Sequence, residues 1–156
     1  MNKIGVLVFV LLSIQLASSA SIDMNPDYKQ GETIIAKISG NFIDSILEEN
    51  VFFYRGHVKI PMNYDVAKIG EYFYVIASTI GKTENNYSLR IQGIQYSNPG
   101  GIIVEDDIIK NFSIINKTAD FAIDKGFIIT SQGFSIEVQS LQGSSVKVDV
   151  DNFNKT

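Results

Sequence analysis

The stretch Tyr87-Ser88-Leu89-Arg90-Ile91-Gln92 decides the fold. Tyr87, Leu89 and Ile91 alternate with Ser88, Arg90 and Gln92, so an extended chain here has one apolar and one polar face. An antiparallel strand packed on a core, with its other face in water, has this pattern. The pattern recurs. Across residues 32–39, Ile34, Ala36 and Ile38 share one face, and Thr33, Lys37 and Ser39 the other, with Ile35 the exception. Phe134, Ile136 and Val138 alternate with Ser135, Glu137 and Gln139, and three valines from Val146 alternate with Lys147, Asp149 and Asp151.

Two runs are apolar on both faces, Val51-Phe52-Phe53-Tyr54 and Tyr72-Phe73-Tyr74-Val75-Ile76-Ala77. They are short and rich in aromatics, which marks central strands. Turn signals separate the segments: Asn25-Pro26-Asp27, Gln30-Gly31, Arg55-Gly56, Ile69-Gly70 and Asn98-Pro99-Gly100-Gly101 among them. Strands and turns at this spacing predict an all-β sandwich. The best helix candidate is 42–49, at most two turns, and 104–110 is a candidate for another short turn.

Composition narrows the function classes. The 156 residues include no cysteine, no tryptophan and one histidine. A disulfide framework, a zinc–thiolate site and a cysteine nucleophile are therefore excluded. Lys and Arg number 13 against 17 Asp and Glu, with no basic run, which argues against nucleic acid as a partner. At 45% hydrophobic residues the chain is too apolar for disorder.

The N-terminus reads Met-Asn-Lys, then Ile4 to Leu16 with only Ser13 and Gln15 polar, then Ala17-Ser18-Ser19-Ala20. A basic start, a short apolar run and small residues at Ser18 and Ala20 make residues 1–20 a secretory signal. As a helix the run spans about 20 Å, short of the roughly 30 Å hydrocarbon core. No later apolar run is long enough to span a membrane, so the processed chain is expected outside the cytoplasm, extracellular or at the cell surface. A disulfide-free exported domain has to hold together by packing, which assigns a structural task to the isoleucines, 22 of whose 24 lie beyond residue 20.

Residues 21–112 supply about seven strands, enough for one complete sandwich. Residues 113–118 are expected to be a linker. Residues 119–156 supply three or four strands, too few for an independent core, and are expected to start a second β-sandwich module that is incomplete here. Gln30-Gly31-Glu32-Thr33-Ile34 and Gln132-Gly133-Phe134-Ser135-Ile136 echo one another at the starts of the two strand sets.

Pro26 with Gly31-Glu32-Thr33-Ile34, then Gly70-Glu71-Tyr72 and Asn86-Tyr87-Ser88-Leu89-Arg90-Ile91, resemble prokaryotic (archaeal and bacterial) cell-surface immunoglobulin-like modules. The resemblance covers most of residues 21–150 and implies an immunoglobulin-like sandwich with a spacer, adhesion or envelope role. The disulfide and core tryptophan of the antibody-type subset are absent.

Four Asn-x-Ser/Thr sequons, at Asn86, Asn111, Asn116 and Asn154, are candidate N-glycosylation sites in an exported chain. His57 has no nucleophile motif around it and is read as flanking a tight turn. The acidic clusters are Glu48-Glu49, Glu105-Asp106-Asp107 and Asp149-x-Asp151-Asn152-x-Asn154; the last alternates oxygen donors but lacks the glycine and distal glutamate of a calcium loop. They are read as solvated loops, with no metal or cofactor assigned. Tyr28, Tyr64 and Tyr96, near turns, are the tyrosines expected to be exposed, where they could stack on sugars; the competing reading places their rings in the core and their hydroxyls at the rim. The leading expectation is a non-enzymatic structural or adhesion module of an envelope protein, partnered by other envelope proteins or surface glycans. The alternatives are a carbohydrate-binding module and the N-terminal accessory domain of a larger exported hydrolase or peptidase.

Overall fold

The computed structural model describes residues 20–124, 128 and 133–148. The expected signal lies almost wholly outside these residues, as do Asp149–Thr156. The protein is an all-β sandwich. β1 (Ser21–Asp23), β3 (Thr33–Ser39), β7 (Asn63–Ile69) and β8 (Tyr72–Ser78) form a four-stranded sheet in the order β1-β3-β8-β7. The larger sheet runs β2-β10-β9-β5-β6, with β4 also paired to β9. Its strands are β2 (Asp27–Gln30), β4 (Asn41–Phe42), β5 (Val51–Arg55), β6 (Val58–Ile60), β9 (Asn85–Ser97) and β10 (Ile103–Thr118). Every pairing in the two sheets is antiparallel except β2 with β10, which is parallel.

The inner faces follow from alternation. Ile34, Ala36 and Ile38 of β3 are fully buried, and they face Leu89 and Ile91 of β9 across one continuous core. Phe73, Val75 and Ala77 of β8, Val51 and Phe53 of β5, and Phe112 and Ile114 of β10 complete it. Aromatic rings fill the lower end: Tyr87 stacks on Phe112 at 5.7 Å, and Tyr28 meets Phe112 edge-on at 5.8 Å. Two-residue turns join β5 to β6 at Gly56-His57 and β7 to β8 at Gly70-Glu71. Both glycines have φ near +60°, which a tight hairpin requires and other residues adopt at a cost.

One four-stranded sheet facing a sheet built around β10-β9-β5 is the immunoglobulin arrangement. A second feature agrees with it. The Tyr87 hydroxyl donates to the Thr83 carbonyl, 2.7 Å away, from the start of β9 back to the corner preceding it. This is a tyrosine corner. Two residues further on, where antibody domains place a cysteine, stands fully buried Leu89. Phe53 on β5 is the large buried ring of the strand that carries tryptophan in antibody domains. Hydrophobic volume thus replaces the disulfide and tryptophan.

The structure corrects three expectations. Residues 113–118, expected as a linker, are the last part of β10, and they pair with β2 from Ser113↔Asp27 to Thr118↔Gln30. The strand continues because Ile114 covers the core while β2 offers its free edge. Residues 104–110 are strand, not a short turn. Residues 42–49 hold no two-turn helix; β4 ends at Phe42 and a single 3-10 turn follows at Glu48–Asn50.

A bulge sets the outer face of β9. Gln92 and Gly93 stand opposite the single residue Asp107, with Gly93 at φ +64°. The Asp107 carboxylate accepts from Gln92 Nε2 at 2.8 Å and from the Gly93 amide at 3.4 Å. The extra residue returns Ile94 and Tyr96 to the core side.

Beyond Thr118 the chain forms a separate two-stranded sheet, β11 (Phe121–Ile123) with β12 (Val138–Ser140). It sits against the β2–β3 turn. The Ala119 amide donates to the Gln30 carbonyl at 2.9 Å, and the Leu141 side chain lies where a Cβ on Gly31 would stand. Thr79 buttresses the same turn from inside: its hydroxyl reaches the Lys29 and Glu32 carbonyls at 3.0 and 2.8 Å. Among the described residues, no helix is long and apolar enough to cross a membrane.

Candidate functional site

The outer face of the larger sheet carries a mixed set of polar side chains. Because Tyr87, Leu89 and Ile91 point into the core, Asn86, Ser88 and Arg90 of β9 point out. Asn111 and Ser113 of β10 and Phe52 and Tyr54 of β5 do the same. Register aligns them in rows. Asn111 lies opposite Ser88, and Ser88 opposite Tyr54; Ser113 lies opposite Asn86. Arg90 lies between Ile109 and Phe52.

Two of the sequons therefore meet reciprocally. Each asparagine is opposite the serine of the other, with Tyr87 and Phe112 between them as the stacked core pair. Ser113 Oγ and Asn86 Oδ1 are 3.2 Å apart. Asn86, Asn111 and Asn116 are all exposed, while Asn154 lies outside the described residues. Sequence reading found the asparagines and not their pairing, because strand register is a non-local property.

A cleft of about 440 Å³ opens on this face between Pro26-Asp27, Gly56 and the rows of Asn86, Ser88, Arg90, Asn111 and Ser113. Arg90 is held at its edge by the Tyr54 ring, 4.3 Å from the guanidinium carbon to the ring centroid. Its Nε is shielded from water and has no hydrogen-bond partner. Lys59 stacks in the same way over Phe52 at 3.8 Å. Among the described residues, no carboxylate pairs with Arg90.

His57 occupies the two-residue turn between β5 and β6, as its sequence context predicts. The tyrosines expected to be exposed are not free stacking platforms. Tyr28 and Tyr96 are 2% and 8% exposed, and Tyr64 is half-buried. Proximity to a turn misled here, since each ring packs into the core. The Tyr28 hydroxyl accepts from the Asn25 amide at 3.1 Å; that of Tyr64 donates to the Glu48 carbonyl at 2.9 Å. Burial pushes Tyr28 up to about 12, and Glu32 and Asp23 add to this against the opposing Asn25 bond. Burial, then the Glu48 charge, also raises Tyr64.

Within the cluster 105–107 the acidic side chains bond locally. Asp107 caps the bulge, and Glu105 accepts from Gln95 Nε2 at 3.3 Å. Among the described residues, no three His, Asp or Glu side chains gather at metal-binding spacing. The third acidic cluster, from Asp149, lies outside them. No protein-family model matches the chain, and no curated protein matches its sequence.

Proposed function

We propose that the chain is a secreted or cell-surface, non-enzymatic module of an envelope protein, in which one immunoglobulin-like sandwich leads directly into a further β-segment. Its work on this reading is structural or adhesive, with other envelope proteins or surface glycans as partners. The observation that supports it most is the junction. β10 runs to Thr118 as strand, and the next β-segment is tied to the β2–β3 turn by Ala119, Leu141 and Gln142. Gln142 Nε2 donates to the Thr118 carbonyl at 3.1 Å and to Asp120 Oδ1 at 3.0 Å. A join made of strand and hydrogen bonds, rather than a flexible tether, suits a stiff spacer. The export signal supports the location, and β1 starts at Ser21, the residue after the expected cleavage point.

The test is N-terminal sequencing of the native protein, together with surface labelling of intact cells by a membrane-impermeant reagent. A mature terminus at Ser21 and labelling of intact cells are expected. A chain that begins at Met1 and is labelled only after lysis would overturn the reading.

A further inference from the structure

We infer that the cleft on the outer face of the larger sheet binds a carboxylated polysaccharide, with Arg90 receiving a sugar carboxylate and Asn86, Asn111 and Ser113 receiving hydroxyls. The inference deepens the surface-module reading by naming a ligand class, and relies on that reading only for the ligand being within reach. Its geometric argument is independent.

Charge comes first. The chain is acidic overall at −4, yet both of its arginines, Arg55 and Arg90, its only histidine and Lys59 lie on β9 or the β5–β6 hairpin. Among the described residues neither arginine nor Lys59 is paired with a carboxylate. Arg90 is the one that lines the cleft. The Tyr54 ring fixes its guanidinium, so little side-chain entropy remains to be lost on binding. Its Nε is shielded from solvent and out of a ligand's reach, so the outer nitrogens are the ones open to a partner. A ligand carboxylate reaching the outer nitrogens of the fork supplies the missing counter-charge in bidentate geometry.

Hydroxyl recognition comes second. Asn side chains donate and accept, and so do Ser hydroxyls, as sugar hydroxyls do in return. The rows stand about 4.8 Å apart between strands and about 6.7 Å apart along one, which spreads them over one or two pyranose rings. Asp27 is the single carboxylate lining the cleft, at the end away from Arg90, and it offers an acceptor for a further hydroxyl. Stacking is not the main term, because Arg90 already covers one face of Tyr54.

The experiment uses the full chain, purified from a host that does not N-glycosylate, since a glycan on Asn86 or Asn111 would stand in the same cleft. Binding of oligogalacturonate is measured by calorimetry beside its methyl ester, which is neutral, and a sulfated heparin oligosaccharide. The carboxylated probe is expected to bind at least tenfold tighter than its ester, with affinity falling as salt rises. Arg90→Gln should weaken it at least tenfold. Arg90→Lys, which keeps the cation over Tyr54 but loses the fork, should also lose most of it while retaining the wild-type circular dichroism spectrum. Equal affinity for acid and ester, preference for the sulfated probe, no binding of any probe, or unchanged binding by folded Arg90→Lys would each overturn the inference. None of these outcomes bears on the N-terminus or surface labelling, so the two readings fail separately.

Discussion

Residues 33–39 and residues 133–139 share an alternating pattern and meet different fates. In the first segment Ile34, Ala36 and Ile38 are 0% exposed, and β3 is bonded on both sides, to β1 and β8. In the second, Phe134 is 63% and Ile136 47% exposed, and among the described residues bonding to a neighbour begins at Glu137, which meets Asp124, and continues in Val138–Ser140. Val148 and Phe121 are exposed as well. Alternation marks a face that can be buried. Burial itself needs a second layer, which β9, β10 and β5 provide for β3. Among the described residues, nothing comparable covers Phe134 and Ile136.

The sharpest way to break the comparison is to delete one side chain from each segment's core face. Ile38→Ala removes a fully buried side chain of β3 and should cost about 2–5 kcal/mol, read from denaturant unfolding of the whole chain. Ile136→Ala should change the same transition by about 0.5 kcal/mol or less. Comparable losses would mean that the second segment is packed as tightly as the first.

Alkaline pH probes the sandwich alone. Tyr28 is neutral when protonated, and the fold holds its pKa at about 12 against an ordinary 10. As pH passes 10 the unfolded chain releases this proton first, so stability is lost between about pH 10 and 12. The full effect is about 2–3 kcal/mol. Unfolding curves across that window should be steeper in pH for the wild type than for Tyr28→Phe; equal slopes would remove Tyr28 from the account. A smaller effect comes from the tyrosine corner. Tyr87→Phe leaves the Thr83 carbonyl without its 2.7 Å donor and should cost about 1–1.5 kcal/mol, seen as a lower thermal midpoint.

Much of the sandwich was legible because its strands are amphipathic and its turns carry glycine. Tyr87–Ile91 and Ile34–Ile38 are buried on the face the alternation names. Three things were not legible, for one physical reason. The parallel pairing of β2 with β10, the bulge opposite Asp107 and the reciprocal meeting of Asn86 with Asn111 all depend on partners distant in sequence. The same holds for residues 113–118. Their Asn-Lys-Thr polarity reads as a linker, yet the free edge of β2 keeps them extended. Arg90 looked like one polar residue among several in an outward row; its isolation over Tyr54 emerged only once β5 was placed beside β9.

Amide hydrogen exchange on the intact chain tests the contrast between the two segments most directly. Amides in β3, β8 and β9 should exchange only through global unfolding, while those of Phe121–Ile123 and Val138–Ser140 should exchange at least a hundredfold faster through local opening. Equal protection of both sets would contradict the account, because the C-terminal sheet would then share the cooperative core of the sandwich.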